Sequence, residues 1–541
     1  MKLNLILTLF LVGIFLALDM LGSQVQAQSG KFDVLLRTRQ PIAEGSSSFN
    51  VVEAVENWNP NEIAVIVCDM WDSHHCFNAV ERVEKLAVEI DEFVAVTRSG
   101  GATIIHAPSS CMDFYKNHLS RNRAIATPMS KSLPDKIGQW CYEIPSEAAG
   151  EYPIDQTDGG EDDDPADHER WAKELESRGL NPKAPWKRQI DTIRIDEEKD
   201  YVSVDGKEIW SILEDKKIKH VLMVGVHTNM CVLGRPFGLR QLAKNGRQVA
   251  LVRDLTDSMY NPAAKPFVNH HTGTDLIVQY IEKYVCPTVT RDQIDTSKSA
   301  FRFPSDTRKR IAVLIGEREY KTDETLPRFA IDSLGKDYKV DIIHADLEKR
   351  NDFPGIARLS EADALLISVR RRTLPKTQLD VVRKFVAAGK PVIGIRTASH
   401  AFCLLKDPTP EGLEAWPEFD AEVFGGSYHG HHANKTKSRI FPVDQVGEHE
   451  ILKTVSINES FIGNGSLYKV DPLADSATSL LMGQIADASP QPVAWFNRRA
   501  DGGVSFYTSL GHVQDFENPE FRKMLKQAID WTVKETVDDR K

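Results

Sequence analysis

The chain has 541 residues, 41% hydrophobic and 27% charged, with 33 Gly and 27 Pro. At roughly 150 residues per domain this composition predicts two large globular domains and excludes a wholly disordered, collagen-like or disulfide-scaffold chain. The net charge of −11 is concentrated between Glu151 and Arg170, where nine acids stand against one base, so no basic surplus exists to neutralise phosphates and nucleic acid is not an expected partner.

In chain order, Lys2 precedes a mostly apolar run from Leu3 to Leu18, followed by Asp19 and a polar stretch ending in Val25-Gln26-Ala27. That order is the grammar of a signal peptide over residues 1–27 with cleavage after Ala27, the competing reading being an uncleaved anchor. A secreted or periplasmic mature protein is expected, without a membrane span after signal cleavage. Export permits disulfides, and with seven Cys at least one thiol stays unpaired within the chain.

From Glu62 onward short apolar runs alternate with amphipathic segments. Ile63 to Val67, Thr103 to Ile105 and Val221 to Val224 read as parallel strands. Between the first two, Val80, Val83, Ala87, Ile90 and Val94 recur at helical spacing until Gly100-Gly101 stops them. The stretch 108–190 lacks this pattern and is read as a surface insertion, its acids as a solvated loop because their spacing fails the EF-hand pattern. After the polar segment Thr290 to Asp306 a second series begins: Ile311 to Ile315, Val340 to Ile343, Ala364 to Ile367 and Pro391 to Ile395. The expected fold class is α/β, with two doubly wound, mainly parallel-sheet domains over residues 28–300 and 301–541.

Asp69 directly follows the run Ile63 to Cys68, at the strand end where open α/β sheets place their ligand crevice, and is a candidate base. Cys231 lies at a strand-to-helix junction, where backbone N–H groups and the helix's positive end would stabilise a thiolate and an oxyanion; the competing reading is a buried small hydrophobe. Lys199 stands 32 residues before it and could hold Asp69, against the alternatives of a solvated lysine beside Glu197 and Glu198 or a role for Lys187. Trp71, Asp72, His74, His75 and Cys76 are read as pocket wall, with a disulfide from Cys76 to Cys111 or Cys141 as the alternative. No metal is expected there, because adjacent residues seldom converge on one ion.

With the strand ending in Asp69, Lys199-x-x-x-Ser203, Gly225-Val226-His227-Thr228-Asn229-Met230-Cys231-Val232 and Arg253-Asp254, residues 62–290 resemble the isochorismatase-like cysteine hydrolases, which include nicotinamidases and N-carbamoyl amidohydrolases. The resemblance implies a triad of Asp69, Lys199 and Cys231, an oxyanion hole around Val226, His227 and Cys231, and substrate contacts from Trp71 and His74. It departs from nicotinamidases at Ile105-His106-Ala107-Pro108-Ser109-Ser110, which lacks their Asp-x-His metal element, and from vinyl-ether-cleaving isochorismatases in having the Cys. The implied activity is cofactor-free hydrolysis of a small-molecule C–N amide or N-carbamoyl bond through a thioester.

In the second half Gly394-Ile395-Arg396-Thr397-Ala398-Ser399-His400 occupies the place of a nucleophile elbow, with Arg396 where an amidotransferase carries Cys; Cys403 lies too far along to replace it. With Phe424 to His429, Pro492 to Trp495 and Phe506 to His512, residues 309–531 resemble the ThuA-like (trehalose-utilisation) domains, an amidotransferase-like flavodoxin-type fold. That resemblance implies a pocket and a carbohydrate ligand, for which His400, Tyr428, His429 and His512 are the candidates, with Trp495 and Tyr507 along the cleft. A homo-oligomer is left open. The alternative to an enzyme is a non-catalytic carbohydrate-binding or scaffold protein whose sites are relics.

Overall fold

Strand Ile63–Cys68 is buried at every position, and so is His220–Val226. Continuous rather than alternating burial belongs to strands covered on both faces, which makes a parallel sheet layered between helices. The computed structural model of the chain describes residues 31–433, 436–444, 448–458, 461–486 and 488–538. The expected signal segment, 1–27, lies outside them. Among the described residues no helix is long and apolar enough to cross a membrane.

The first sheet comprises β1 (Phe32–Pro41), β2 (Phe49–Trp58), β3 (Ile63–Cys68), β4 (Thr103–Ala107), β5 (Tyr201–Val202), β6 (His220–Val226), β7 (Gln248–Asp257) and β8 (Thr288–Val289), in the order β2-β1-β8-β7-β6-β3-β4-β5. From β8 to β5 all pairings are parallel. The chain leaves β3 to one side for β4 and returns on its other side as β6, so the topological switch point lies between β3 and β6. The first crossover is helix α1 (Phe77–Gly100), which ends where Gly101 adopts φ 108° and returns its N–H to Arg98 and Thr97.

The hairpin β1–β2 lies before the alternation that the sequence announces, and it was not anticipated. It is fastened to the edge of the sheet by Glu282 on α2 (His270–Tyr284), whose fully buried carboxylate accepts from Arg37 Nε at 2.7 Å, Arg39 Nε at 2.9 Å and Thr288 Oγ1 at 2.6 Å. Burial alone would raise this carboxyl, but the two guanidiniums outweigh burial and hold it at about 2.

The second sheet contains β9 (Lys309–Gly316), β10 (Tyr338–His344), β11 (Ala364–Val369), β12 (Val392–Ile395), β13 (Ser438–Pro442), β14 (Ile462–Gly463), β15 (Ala477–Gln484), β16 (Gln491–Arg498) and β17 (Val504–Thr508). Its order is β10-β9-β11-β12-β17-β16-β15-β13-β14, parallel as far as β17 and antiparallel beyond. Its switch point is at β9. Helices α3 (Lys376–Ala387) and α4 (Pro519–Asp538) belong to this half. The chain is thus a two-domain α/β protein. Across the two sheets, the Asn50 side chain exchanges two 2.9 Å hydrogen bonds with the His344 backbone, and Asp275 pairs with Arg308 at 3.0 Å and Lys339 at 2.8 Å.

Two expectations are corrected here. The stretch 108–190 is no peripheral insertion: Tyr115, Cys141, Ile144, Ile154 and Trp171 are buried, because its apolar residues pack onto the first domain without regular periodicity. All seven cysteines are free, so Cys76 is not bridged to Cys111 or Cys141; its sulfur lies 3.3 Å from carboxylate oxygens of Asp162 and Asp163.

Removing Glu282 would strand the buried Arg39 and the half-buried Arg37. Glu282→Ala is expected to cost about 3 kcal/mol, the usual range for breaking a buried pair. Urea denaturation checks this, and a loss below about 0.5 kcal/mol, the usual range of a neutral surface change, would contradict it.

Candidate active site

Strand β3 delivers Asp69 and β6 delivers Cys231 to the same switch point. Asp69 adopts φ 46°, a left-handed backbone that a residue with a side chain adopts only when its surroundings impose it, and its N–H is tied to Ala107 O at 3.1 Å. Its carboxylate is fully buried and satisfied on both oxygens: Ser109 N donates to Oδ1 at 2.7 Å and Arg235 Nε to Oδ2 at 2.9 Å. The thiol of Cys231 and the same carboxyl act on each other electrostatically, and the His227 backbone favours the charged sulfur. Cys231 lies on the helical turn Thr228–Val232 immediately after β6, and the Val226–His227 peptide is cis. Gly225 is required here, since a Cβ at its φ of 105° would lie 2.1 Å from Cys68 O.

The electrostatics around the sulfur run against the expected thiolate. Burial pushes the Cys231 thiol up, the Asp69 charge pushes it further, and Arg235 opposes both without prevailing. Burial also raises Asp69, against the pull of Arg235, Cys231 and Ser109. The two groups therefore compete for one negative charge, and the Arg235 guanidinium interacts with whichever carries it.

Lys199 is not the partner of Asp69. Its side chain is 69% exposed and pairs with Asp196 at 3.6 Å. The neighbouring Asp200 takes the buried place instead, held by Arg98 at 2.6 Å and His106 at 3.1 Å, which leaves the lysine facing solvent. Lys187 is exposed too, and only its backbone N–H reaches Asp72. The cation at Asp69 is Arg235, which sequence reasoning missed. The available signal was its i+4 spacing from Cys231: Arg235 N donates to Cys231 O at 3.0 Å, one helical turn on.

The surrounding wall is aromatic. Trp71 stacks on Trp186 at 4.7 Å and donates its indole N–H to Ser109 O, while His74 stacks on both tryptophans and meets His227 edge-on at 5.0 Å. Val226 and His227 are buried beneath. Burial holds His227 down at about 3, so it is neutral at physiological pH, and His74 is likewise lowered by burial.

The acidic loop is not merely solvated. Asp163 accepts the N–H groups of Phe77 and Asn78, satisfying the first turn of α1, and Asp162 pairs with Arg82 at 2.8 Å and His270 at 3.2 Å. Among the described residues, two sets of side chains have ligand atoms close enough to hold a cation: Cys76, Asp162 and Asp163, and Glu161, Asp163 and His168.

In the second domain a cleft of about 660 Å³ opens over the ends of β9, β11 and β12. His400, Tyr428 and His429 line it, with Tyr320 and Tyr468. His400 stacks on Tyr428 at 4.6 Å, and burial holds it at about 3. His512 stands one layer back, edge-on to Tyr320 at 5.8 Å, and is not a lining residue. Trp495 and Tyr507 do not line the cleft either. They sit on central strands covered on both faces and are fully buried. Arg396 has φ 44° at the elbow and is only 2% exposed, with its guanidinium over Tyr320 at 4.1 Å and Tyr468 at 4.9 Å. Asp420, in the cleft wall, accepts from Tyr428 N at 2.9 Å on Oδ2 while buried Oδ1 has no hydrogen-bond partner; burial raises its carboxyl to about 7.

Residues 310–532 match the ThuA family model, trehalose utilisation. Similar solved structures include a ThuA-like protein from Bacteroides uniformis (14% identity, 43% of this chain and 95% of that one, TM-score 0.32). Another is a ThuA-like protein from Parabacteroides merdae (12% identity, 42% and 90%, TM-score 0.30). A third is a cysteine hydrolase from Pseudomonas syringae pv. phaseolicola (14% identity, 44% and 95%, TM-score 0.26). Among curated proteins no match is found. The match to the ThuA family model covers the second sheet and its helices.

Between the ordinary Asp value and about 7, the folded protein keeps a proton on Asp420 that the unfolded chain has released, so stability falls as pH rises through that window. Asp420→Asn is expected to remove this slope and to stabilise the protein at pH 8, read as Tm against pH. An unchanged profile would contradict the buried, proton-retaining carboxyl.

Proposed function

We propose that the first domain is a cysteine hydrolase of C–N amide or N-carbamoyl bonds in a small molecule, and that the ThuA domain holds a sugar-like ligand. The observation that carries the first part is the convergence of Asp69, Cys231 and Arg235 on one switch point. In this reading Asp69 takes the thiol proton as the sulfur attacks the substrate carbonyl. The C–N bond then breaks, Asp69 returns the proton to the leaving amine, and a thioester remains on Cys231. Water, deprotonated by Asp69, cleaves it and restores the thiol. Arg235, which keeps its charge throughout, stabilises the negative charge as it passes between carboxylate and sulfur, and the backbone N–H groups around His227 favour the oxyanion. Trp71 and His74 offer flat faces to the substrate. The signal-peptide grammar at the N-terminus supports an exported enzyme.

A second reading, two retained folds without catalysis, is favoured by one observation: the lysine implied by the family resemblance is exposed. An ammonia-release screen over primary amides and N-carbamoyl compounds separates the two. Cys231→Ala is expected to abolish release with an unchanged circular dichroism spectrum, and Arg235→Ala to lose on the order of 10²-fold, the usual cost of removing a charge stabiliser. Lys199→Ala should remain within about twofold, as exposed substitutions usually do. Hydrolysis by Cys231→Ala at the wild-type rate, or no hydrolysis by any variant including wild type, would favour the relic reading.

A further inference from the structure

Arg370 and Arg371, which follow β11, line the second-domain cleft, and Arg396, which follows β12, lies beneath it. Arg370 is paired with Glu319 at 3.0 Å. Arg371 lines the cleft half-buried, and among the described residues no carboxylate pairs with it; its charge acts on the Tyr428 hydroxyl. Its backbone is held at φ 46°, with its N–H bonded to His400 O at 3.0 Å. Arg396 lies beneath Tyr320 and Tyr468, both of which line the cleft; it donates to Ser509 O at 2.6 Å and to Ser466 Oγ and O at 3.3 and 3.5 Å, and feels the charge of Asp515 from below.

An unpaired guanidinium is costly to bury and is commonly compensated by an anion. His400 senses the same field: after burial, the charged groups acting on it are Arg371, Arg370, Arg396 and His431, all cationic when charged. Glu319 is engaged by Arg370, and burial favours the neutral form of Asp420. A neutral sugar would use the Tyr428 and Tyr468 rings but leave this positive potential unanswered.

We propose that the cleft binds a sugar bearing a carboxylate or phosphate, its ring against Tyr428 and Tyr468 and its anionic group on Arg371. This deepens, and rests on, the proposed sugar-like ligand. Arginine suits the task because its planar fork engages either oxyanion through two parallel hydrogen bonds, and Arg396 adds fixed charge below the floor.

The test is calorimetry of the full chain with glucose, glucuronate, glucose 6-phosphate, acetate and inorganic phosphate. Glucuronate or glucose 6-phosphate should bind about tenfold tighter than glucose, as charge-assisted pairing provides, and whichever is preferred identifies the anion. Arg371→Gln should erase the preference, while Arg371→Lys should keep part of it, which guards against a folding defect. Glucose binding as tightly as both sugar anions would overturn the anionic ligand and leave the sugar reading intact. Acetate or phosphate binding as tightly as the sugar anions would overturn the sugar reading and this proposal's sugar component with it. Heat from none of the five would overturn both.

Discussion

A carboxylate buried at a strand end must have both oxygens satisfied, and in the first domain that requirement organises everything near the crevice. Oδ1 of Asp69 takes the N–H of Ser109, which draws the start of the 108–190 stretch onto the sheet. Oδ2 takes Arg235, which fixes the turn after β6 and with it the position of Cys231. The aromatic wall follows: Trp71 donates to Ser109 O, and Trp140 lies under the Arg235 guanidinium at 5.3 Å. Loss of either partner would leave an uncompensated buried charge beside the thiol. The interaction that would prepare the chemistry is therefore also structural.

The two domains use the same geometry for different ends. In each, a side-chain-bearing residue adopts a left-handed backbone at a strand end of the crevice: Asp69 at φ 46° and Arg396 at φ 44°. In the first domain this directs a carboxylate towards a thiol. In the second it places a guanidinium against Tyr320 and Tyr468, where it becomes a fixed charge beneath the cleft. The sheets are joined by the β1–β2 hairpin, whose Asn50 pairs with His344 at the edge of the second sheet.

Much of this was legible in the amino-acid sequence. Fully buried parallel strands leave continuous apolar runs, so β3, β6, β9 and β11 declared themselves, and the strand ends at Asp69 and Cys231 followed from them. The hairpin did not, because its residues are largely half-exposed and its pattern is weak. Arg235 was hidden for a different reason: its role depends on one helical turn starting at Cys231, whereas Lys199 was offered by spacing along the chain and lost its place to the buried Asp200. Trp186, far from Asp69 in the chain, belongs to a stretch without periodicity, so nothing in the local pattern assigned it to the wall. Trp495 and Tyr507 read as cleft residues by type, but a strand covered on both faces buries even its aromatic side chains.

The account's central claim is that Cys231 becomes acylated with Asp69 as its proton acceptor. The direct measurement is acid-quenched peptide mass spectrometry during turnover of an amide substrate. The account predicts an acyl mass on the Cys231 peptide in the wild-type protein and none in Asp69→Asn. Turnover with Cys231 unmodified, or with the acyl group on another cysteine such as the more exposed Cys403, would contradict it.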